Sequence, residues 1–258
     1  MVLAAIRYSK PSIATVSLDG GELLELDRER LEALLEQLVA YHGQLHWWPA
    51  QSTFEILMGA VLTQNTAWRN VEHAIAQLRA TMPLTPHAIV DAPSEQLAAA
   101  IRPSGYYNVK AQRLRTLSVA YLEAGGYDGL DRLATNELRD RLLAVKGVGR
   151  ETADDILLYA FKRPVFVIDA YTRRIFSRLG WCRGDEPYEV LRAAVEEACG
   201  AERALFHELH AQLVELGKAT CRPRPRCNLC PLASSAAETG RRAVARKASC
   251  PFPTQHSS

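Results

Sequence analysis

The sequence predicts an all-α protein. Apolar residues recur at helical spacing along most of the chain, prolines and glycines cut that pattern into short segments, and strand signals are sparse. Its 258 residues suffice for one large domain or two smaller interleaved ones. A hydrophobic fraction of 48% and a charged fraction of 23% are those of an ordinary water-soluble globular chain.

Residues 1–25 alternate around Ile13 to Leu18 and reach Gly20-Gly21, the pattern of a weak extended arm. Asp27 then opens a helix whose Leu31, Leu34, Leu35 and Leu38 form one stripe, and Trp47-Trp48-Pro49 breaks it. A second helix from Ser52 carries Phe54, Leu57 and Val61, and a third carries Val71, Ile75 and Leu78. Pro83, Pro86, Pro93 and Pro103 punctuate short helices after that. Arg139 to Ala160 reads as two helices joined by a hairpin: Leu138, Leu142 and Val145 on one side, Ala153, Ile156, Leu157 and Ala160 on the other. Further helices are expected over Ala170–Leu179, Pro187–Cys199 and Arg203–Gly217, and the Ala, Ser and Arg-rich tail after Pro231 is expected to be poorly ordered.

The net charge of +2 announces no partner, but its distribution is uneven. Lys218, Arg222, Arg224, Arg226, Arg241, Arg242, Arg246 and Lys247 face one acid, Glu238, while the remainder carries a net charge of −5. Such a segment attracts phosphate or is simply a solvated tail. No apolar run approaches the roughly 20 residues that span a bilayer. Met1 to Ile6 is too short for a secretory signal core, so an intracellular protein without a membrane partner is expected. Six cysteines in such a chain do not suggest a disulfide framework. Cys182 and Cys199 are isolated and expected as small buried apolar residues, whereas Cys221, Cys227 and Cys230 are clustered.

The hairpin is the feature with chemical content. Gly147 and Gly149 permit a tight turn and remove side chains from its exposed face. Backbone N–H groups from Val148 to Glu151 would then stand at a helix N-terminus, a site suited to phosphate, with Lys146 and Arg150 adding charge. An ordinary inter-helix turn would use the same glycines. Beyond the hairpin, Asp169 follows the apolar run Val165-Phe166-Val167-Ile168. A carboxylate there can cap the helix from Ala170, or stabilise a developing positive charge and orient water.

The run Leu142-Leu143-Ala144-Val145-Lys146-Gly147-Val148-Gly149-Arg150-Glu151-Thr152-Ala153, followed by Val167-Ile168-Asp169, resembles the helix–hairpin–helix (HhH-GPD) DNA glycosylases, in their endonuclease III-like branch. Gly105-Tyr106-Tyr107-Asn108-Val109-Lys110-Ala111 is similar to a segment of that family's six-helix domain. Ala60-Val61-Leu62-Thr63-Gln64-Asn65-Thr66 is similar to its DNA-penetrating loop, and Leu216-Gly217-Lys218 leading to Cys221 to the start of its iron–sulfur loop. The resemblance implies two helical domains with a cleft between them that holds Asp169. After an arm over 1–26, a discontinuous domain of 27–47 and 165–231 would pair with a six-helix domain of 48–164 that carries the hairpin. A basic, flexible tail would follow over 232–258.

The resemblance also implies a reaction: hydrolysis of the N-glycosidic bond of a base flipped from DNA, with Asp169 stabilising an oxocarbenium-like transition state. Members that also cleave the strand carry a lysine where this chain has Glu151, and a carboxylate cannot form the imine their chemistry needs. A monofunctional glycosylase is therefore expected. Glu151 is either a second pocket carboxylate or a solvated first-turn residue. Gln64 or Asn65 would fill the gap left by the flipped base. The branch that excises mismatched adenine carries a glutamate where this chain has Gly59, so the substrate would be a base that leaves without a proton donor. An alkylated purine such as 3-methyladenine meets that requirement, and Trp47, Trp48, Trp68, Tyr106 and Tyr107 could line its pocket. The alternatives are a glycosylase for oxidised pyrimidine or mismatched uracil or thymine, with or without lyase activity, and a DNA-binding protein without catalysis.

Cys221, Cys227 and Cys230 resemble the ligands of the family's [4Fe–4S] cluster. The first gap holds five residues where the family usually has six, and Ala236 stands at the position of the fourth cysteine, leaving Cys250 as the downstream candidate. A three-cysteine site, zinc or a metal-free loop remain as readings. The expected partner is duplex DNA with a damaged or mismatched base, bound by a monomer in the cytoplasm at the nucleoid. Lys146, Gly147, Val148, Gly149, Arg150, Thr152, Gln64 and Asn65 would be its contacts.

Overall fold

Asp27 does what its place before a leucine stripe suggests. Its carboxylate accepts a hydrogen bond from the Arg30 N–H at 2.8 Å and opens the first long helix. The computed structural model describes residues 13–17, 23–45 and 47–234 and divides into two units. The stretch between Leu45 and Ile168 forms a central unit, and the two flanking stretches join as the other. The basic tail beyond residue 234, including Cys250, lies outside the described residues.

The flanking unit begins with a two-stranded antiparallel ribbon of β1 (Ile13–Ser17) and β2 (Leu23–Asp27), with Ile13 opposite Asp27. Helix α1 (Arg28–His42) buries Leu31, Leu34 and Leu38 and stops at Gly43, whose φ of +77° suits glycine.

The central unit contains α2 (Thr53–Leu62), α3 (Trp68–Thr81), α4 (Pro86–Asp91) and α5 (Ser94–Ala100), then a 3₁₀ turn at Arg102–Ser104. It continues through α6 (Tyr107–Glu123), α7 (Gly126–Asp131), α8 (Thr135–Leu143) and α9 (Arg150–Asp155), the last extended by a π-helical turn at Ile156–Ala160. Ser52 caps α2 by accepting from the Glu55 N–H at 3.2 Å, and Thr85 caps α4 with Pro86 in its first turn. The apolar residues of α8 and α9 that define the hairpin are all buried in one core with Leu57, Val61 and Leu78. Arg139 of α8 and Asp154 of α9 make a buried two-pronged ion pair, at 2.7 and 3.1 Å. That geometry satisfies both charges and fixes the two helices against each other.

Lys110 of α6 is 1% exposed, and its ammonium donates to the Leu62 carbonyl at 2.8 Å and the Ser104 carbonyl at 2.7 Å. One buried cation thus ties the end of α2 to the turn before α6. Burial and then the neighbouring Arg113 charge hold its pKa down at about 8.

The flanking unit resumes with α10 (Ala170–Arg178), α11 (Tyr188–Cys199) and α12 (Arg203–Ala219), and ends at α13 (Pro231–Ser234). Helix α12 packs on α1 and α10, and the ribbon packs on α11. A Cβ at Gly217 would stand 2.3 Å from Tyr171 Cδ1, so glycine sets the close approach of α12 to α10. Arg28 closes the unit by donating to the Cys199 carbonyl at 3.0 Å and to Glu202 at 2.7 Å. Cys199 is buried and Cys182 half-buried, and burial pushes both thiols up to about 12. No helix among the described residues is long and apolar enough to cross a membrane.

Candidate nucleic-acid interface and active site

The hairpin has the glycine geometry its sequence suggests. Gly147 adopts φ +99°, and a Cβ there would come within 2.5 Å of Arg113 Cγ. Gly149 is the N-cap of α9, and a Cβ on it would meet nothing within 4 Å, so the face above this helix start is open. Lys146, Arg150 and Glu151 are exposed around it. Val148 and Thr152 are 7% and 5% exposed: the core takes the valine side chain and a neighbouring amide takes the threonine hydroxyl, which leaves their backbone at the helix start.

That amide belongs to Gln64. Its Nε2 donates to the Gly147 carbonyl at 3.0 Å and to Thr152 Oγ1 at 2.9 Å, while its Oε1 accepts from Arg113. Asn65 is exposed with φ +52°, a left-handed conformation that asparagine tolerates better than most residues. The Thr66 hydroxyl donates to the Ser104 carbonyl and so joins this loop to the turn that carries Tyr106. Tyr106 also has a positive φ, +44°, and is 73% exposed, so it stands at the tip of a turn and not in a pocket wall. Tyr107 begins α6, packs at the edge of the core and lies 5.9 Å beneath the Arg102 guanidinium.

Three of the five expected pocket aromatics do come together. Trp48 meets Trp68 edge-on at 5.0 Å, Trp47 lies 5.7 Å from Trp68, and Tyr159 packs 5.1 Å from Trp48. Tyr159 was hidden in the sequence within the apolar run of the second hairpin helix. Gly59 has a steric reason: a Cβ there would be 2.9 Å from Trp48 Cζ2. The indole occupies the space that a side chain at position 59 would need.

Asp169 is 8% exposed and is the N-cap of α10, with one carboxylate oxygen accepting from the Thr172 N–H at 2.7 Å. The other oxygen lies 3.6 Å from Nε2 of His210, a buried residue of α12. Burial alone would raise the carboxyl pKa. The His210 imidazole and the Thr172 N–H outweigh it and hold the group below its usual 3.8, so at neutral pH it is a buried carboxylate. Such a group offers negative charge and an acceptor in a sheltered place. His210 escaped sequence reasoning because it lies 41 positions from Asp169, with no motif joining them.

Residues 58–201 match the HhH-GPD superfamily base excision DNA repair proteins. This chain belongs to that superfamily. It is 39% identical to a provisionally named DNA repair glycosylase of Methanocaldococcus jannaschii over 79% of its own length and 94% of that protein. It is 32% identical to endonuclease III of Thermotoga maritima, over 78% and 89% of the two chains. A Helicobacter pylori 3-methyladenine DNA glycosylase bound to 1,N6-ethenoadenine superimposes with a TM-score of 0.66 at 31% identity, covering 75% of this chain and 98% of that one. A trapped covalent endonuclease III–DNA intermediate gives 0.68 at 25% identity, over 80% and 93%. The activity class of this HhH-GPD protein is therefore DNA N-glycosylase, and its partner is DNA.

HhH-GPD relatives of the endonuclease III type lead to the question of a cluster. Cys221, Cys227 and Cys230 line one cavity of about 70 Å³ together with Ile175, Leu179, Leu216 and Leu232. Arg178 donates to Cys221 Sγ at 3.1 Å and to the Arg222 and Pro223 carbonyls. Among the described residues no group of three Cys, His, Asp or Glu is placed to hold a metal ion. A single zinc ion would need its thiolates to converge on one point, whereas a cubane spreads them over separate irons. Cys250, the candidate fourth ligand, lies outside the described residues.

Proposed function

We propose that this protein is a monofunctional DNA glycosylase that excises alkylated purines. The observation that carries the reading is Asp169, a buried carboxylate kept ionised by its own helix N-terminus and by His210. As the glycosidic bond lengthens, positive charge grows on the deoxyribose, and a fixed anion beside it lowers the barrier. The same carboxylate accepts a proton from the attacking water, which becomes the new hydroxyl of the sugar while the base leaves with the bonding electrons.

Glu151, exposed in the first turn of α9, supports the monofunctional half of the proposal. Endonuclease III can be trapped covalently on DNA, which requires a nucleophile that forms a stable adduct. The carboxylate at position 151 has no amine to offer. The substrate half rests on the aromatic group. Trp48 fills the space beside Gly59 where a proton-donating side chain would have to stand, and aromatic faces favour cationic bases, which leave without protonation. The likeness to a glycosylase bound to 1,N6-ethenoadenine agrees with a modified purine. Asn65 and Tyr106, both exposed and left-handed, are our candidates for entering the duplex. Lys146, Arg150 and the backbone at Gly147 to Thr152 would hold the phosphates.

The apolar cavity and its three soft donors fit an iron–sulfur group, and Cys221, Cys227 and Cys230 would hold it with one further ligand. When bound, it would cross-link the loop that displays Arg222, Arg224 and Arg226; the glycosylase step itself needs only the residues above.

The test uses end-labelled duplexes carrying 3-methyladenine, thymine glycol or uracil opposite guanine, each developed with and without hot alkali. Breaks at the 3-methyladenine site only after alkali are expected. Breaks without alkali, or a borohydride-trapped adduct, would overturn the monofunctional reading, and a response confined to pyrimidine lesions would overturn the substrate. Asp169→Asn should abolish excision while duplex affinity persists; unchanged turnover would mean the carboxylate is only a helix cap.

A further inference from the structure

Gln64 has the position of a residue that could enter DNA and the contacts of one that cannot. A primary amide has two N–H donors and one carbonyl oxygen. Here the donors meet the Gly147 carbonyl and Thr152 Oγ1, and the oxygen meets the Arg113 guanidinium. The orientation is dictated by its partners: turned over, the amide would set N–H against guanidinium and oxygen against carbonyl. The three partners come from three places, the hairpin turn, α9 and α6. Withdrawing Gln64 into a duplex would break all three bonds at once and leave the Thr152 hydroxyl, in a residue only 5% exposed, without this donor.

We propose that Gln64 is a positioning residue that couples the DNA-entering loop to the phosphate-gripping hairpin. Asn65 is its immediate neighbour, one peptide unit away, so fixing Gln64 on Gly147 fixes where the exposed left-handed residue stands relative to the turn. Arg113 completes the device. Its aliphatic stem lies over Gly147, where any Cβ would collide with it, and its head holds the Gln64 oxygen. The hairpin's hold on the sugar–phosphate backbone then sets the register at which Asn65 meets the base stack. This deepens the glycosylase reading and rests on it, yet its central test needs binding only.

The experiment compares Gln64→Met, which keeps length and loses the hydrogen bonds, with Asn65→Ala and the double variant, all in the full chain. Affinity is measured for an undamaged duplex and for one containing a tetrahydrofuran abasic analogue, with 2-aminopurine fluorescence beside the site reporting unstacking. Gln64→Met should leave undamaged-duplex affinity within about twofold and reduce preference for the abasic duplex by about tenfold or more, the scale of two lost neutral hydrogen bonds. The double variant should be no worse than Asn65→Ala, since both act through one insertion. Gln64→Glu, which retains the Arg113 contact and loses both donors, should behave like Gln64→Met, and an unchanged melting temperature separates this from unfolding. Additive effects of Gln64→Met and Asn65→Ala would overturn the proposal. So would equal weakening on both duplexes, which would make Gln64 a direct DNA ligand. If the wild type excised no base from any lesion duplex, the glycosylase reading would fail, while the coupling would still be decided by the abasic duplex.

Discussion

At Asp169 the structural and chemical demands on one side chain agree. Capping α10 requires an ionised acceptor aimed at the Thr172 N–H, and the proposed chemistry requires the same charge state. His210 is what sequence reasoning lacked, because a contact between two helices leaves no trace in spacing. It gives a pH prediction with a definite sign. The folded pKa of Asp169 is depressed, so its contribution to stability is present at neutral pH and is lost as pH falls through that value. In His210→Ala the effect of burial is less offset, and the carboxyl should titrate at higher pH. Carbon-detected NMR titration of the Asp169 carboxyl reads this directly, and an unmoved midpoint would remove His210 from the account. Gly59 yields a second prediction. Alanine in a helix interior ordinarily gains about 1 kcal/mol over glycine. Here the added methyl meets Trp48, which Trp68 and Tyr159 hold in place, and such overpacking costs about 1–3 kcal/mol. Gly59→Ala should therefore lower the melting temperature, and a stabilised variant would show that the indole moves aside freely.

Among the elements, the helices were legible where a stripe was long. Leu31, Leu34 and Leu38 in α1 and Val71, Ile75 and Leu78 in α3 lie buried at the positions their spacing indicates. Other features were not readable. The run Ile156 to Ala160 is apolar throughout, so no periodicity distinguished a π turn from a continued α-helix. Gln64 and Asn65 were indistinguishable as neighbouring polar residues until backbone φ and three hydrogen bonds separated them. Lys110 was seen only as part of a motif, although from inside the core it binds the end of α2 before Asn65 and the turn before Tyr106. With its pKa lowered from 10.5 to about 8, the folded chain releases this proton before the unfolded chain does. Between those values the unfolded state binds more protons, so stability should rise with pH, by up to about 3 kcal/mol for a group this buried. A neutral amine still has two hydrogens for the Leu62 and Ser104 carbonyls, so the anchor survives deprotonation. Denaturant titrations of wild type and Lys110→Gln across this range should differ by that slope. Parallel profiles would mean the lysine is not desolvated as its burial implies.

The whole molecule joins residues that the sequence gives no reason to pair. Arg28 binds the Cys199 carbonyl and Glu202, and Gln212 binds the Gly43 carbonyl, each across more than 160 positions. Charge, by contrast, was legible. A chain with a net charge of only +2 displays Arg222, Arg224 and Arg226 exposed on one short loop bounded by Cys221 and Cys227. That loop sits above the cavity its cysteines line and is tied down by Arg178 on Cys221 Sγ and on the Arg222 and Pro223 carbonyls, by Arg174 on the Cys221 carbonyl, and by the Arg226 N–H on the Thr220 carbonyl. If a cluster fills the cavity, the purified protein should contain iron and acid-labile sulfide and absorb broadly in the visible, and Cys227→Ser should lose all three. The loop arginines would then be released from their fixed geometry. Each phosphate contact contributes about −0.9 to the slope of log affinity against log salt, so losing the three arginines together would flatten that slope by up to about 3. A flattened slope with no iron in the wild type would make the loop a metal-free phosphate clamp. Iron in the wild type with an unchanged slope in Cys227→Ser would separate the cluster from DNA binding and leave it a role in folding alone.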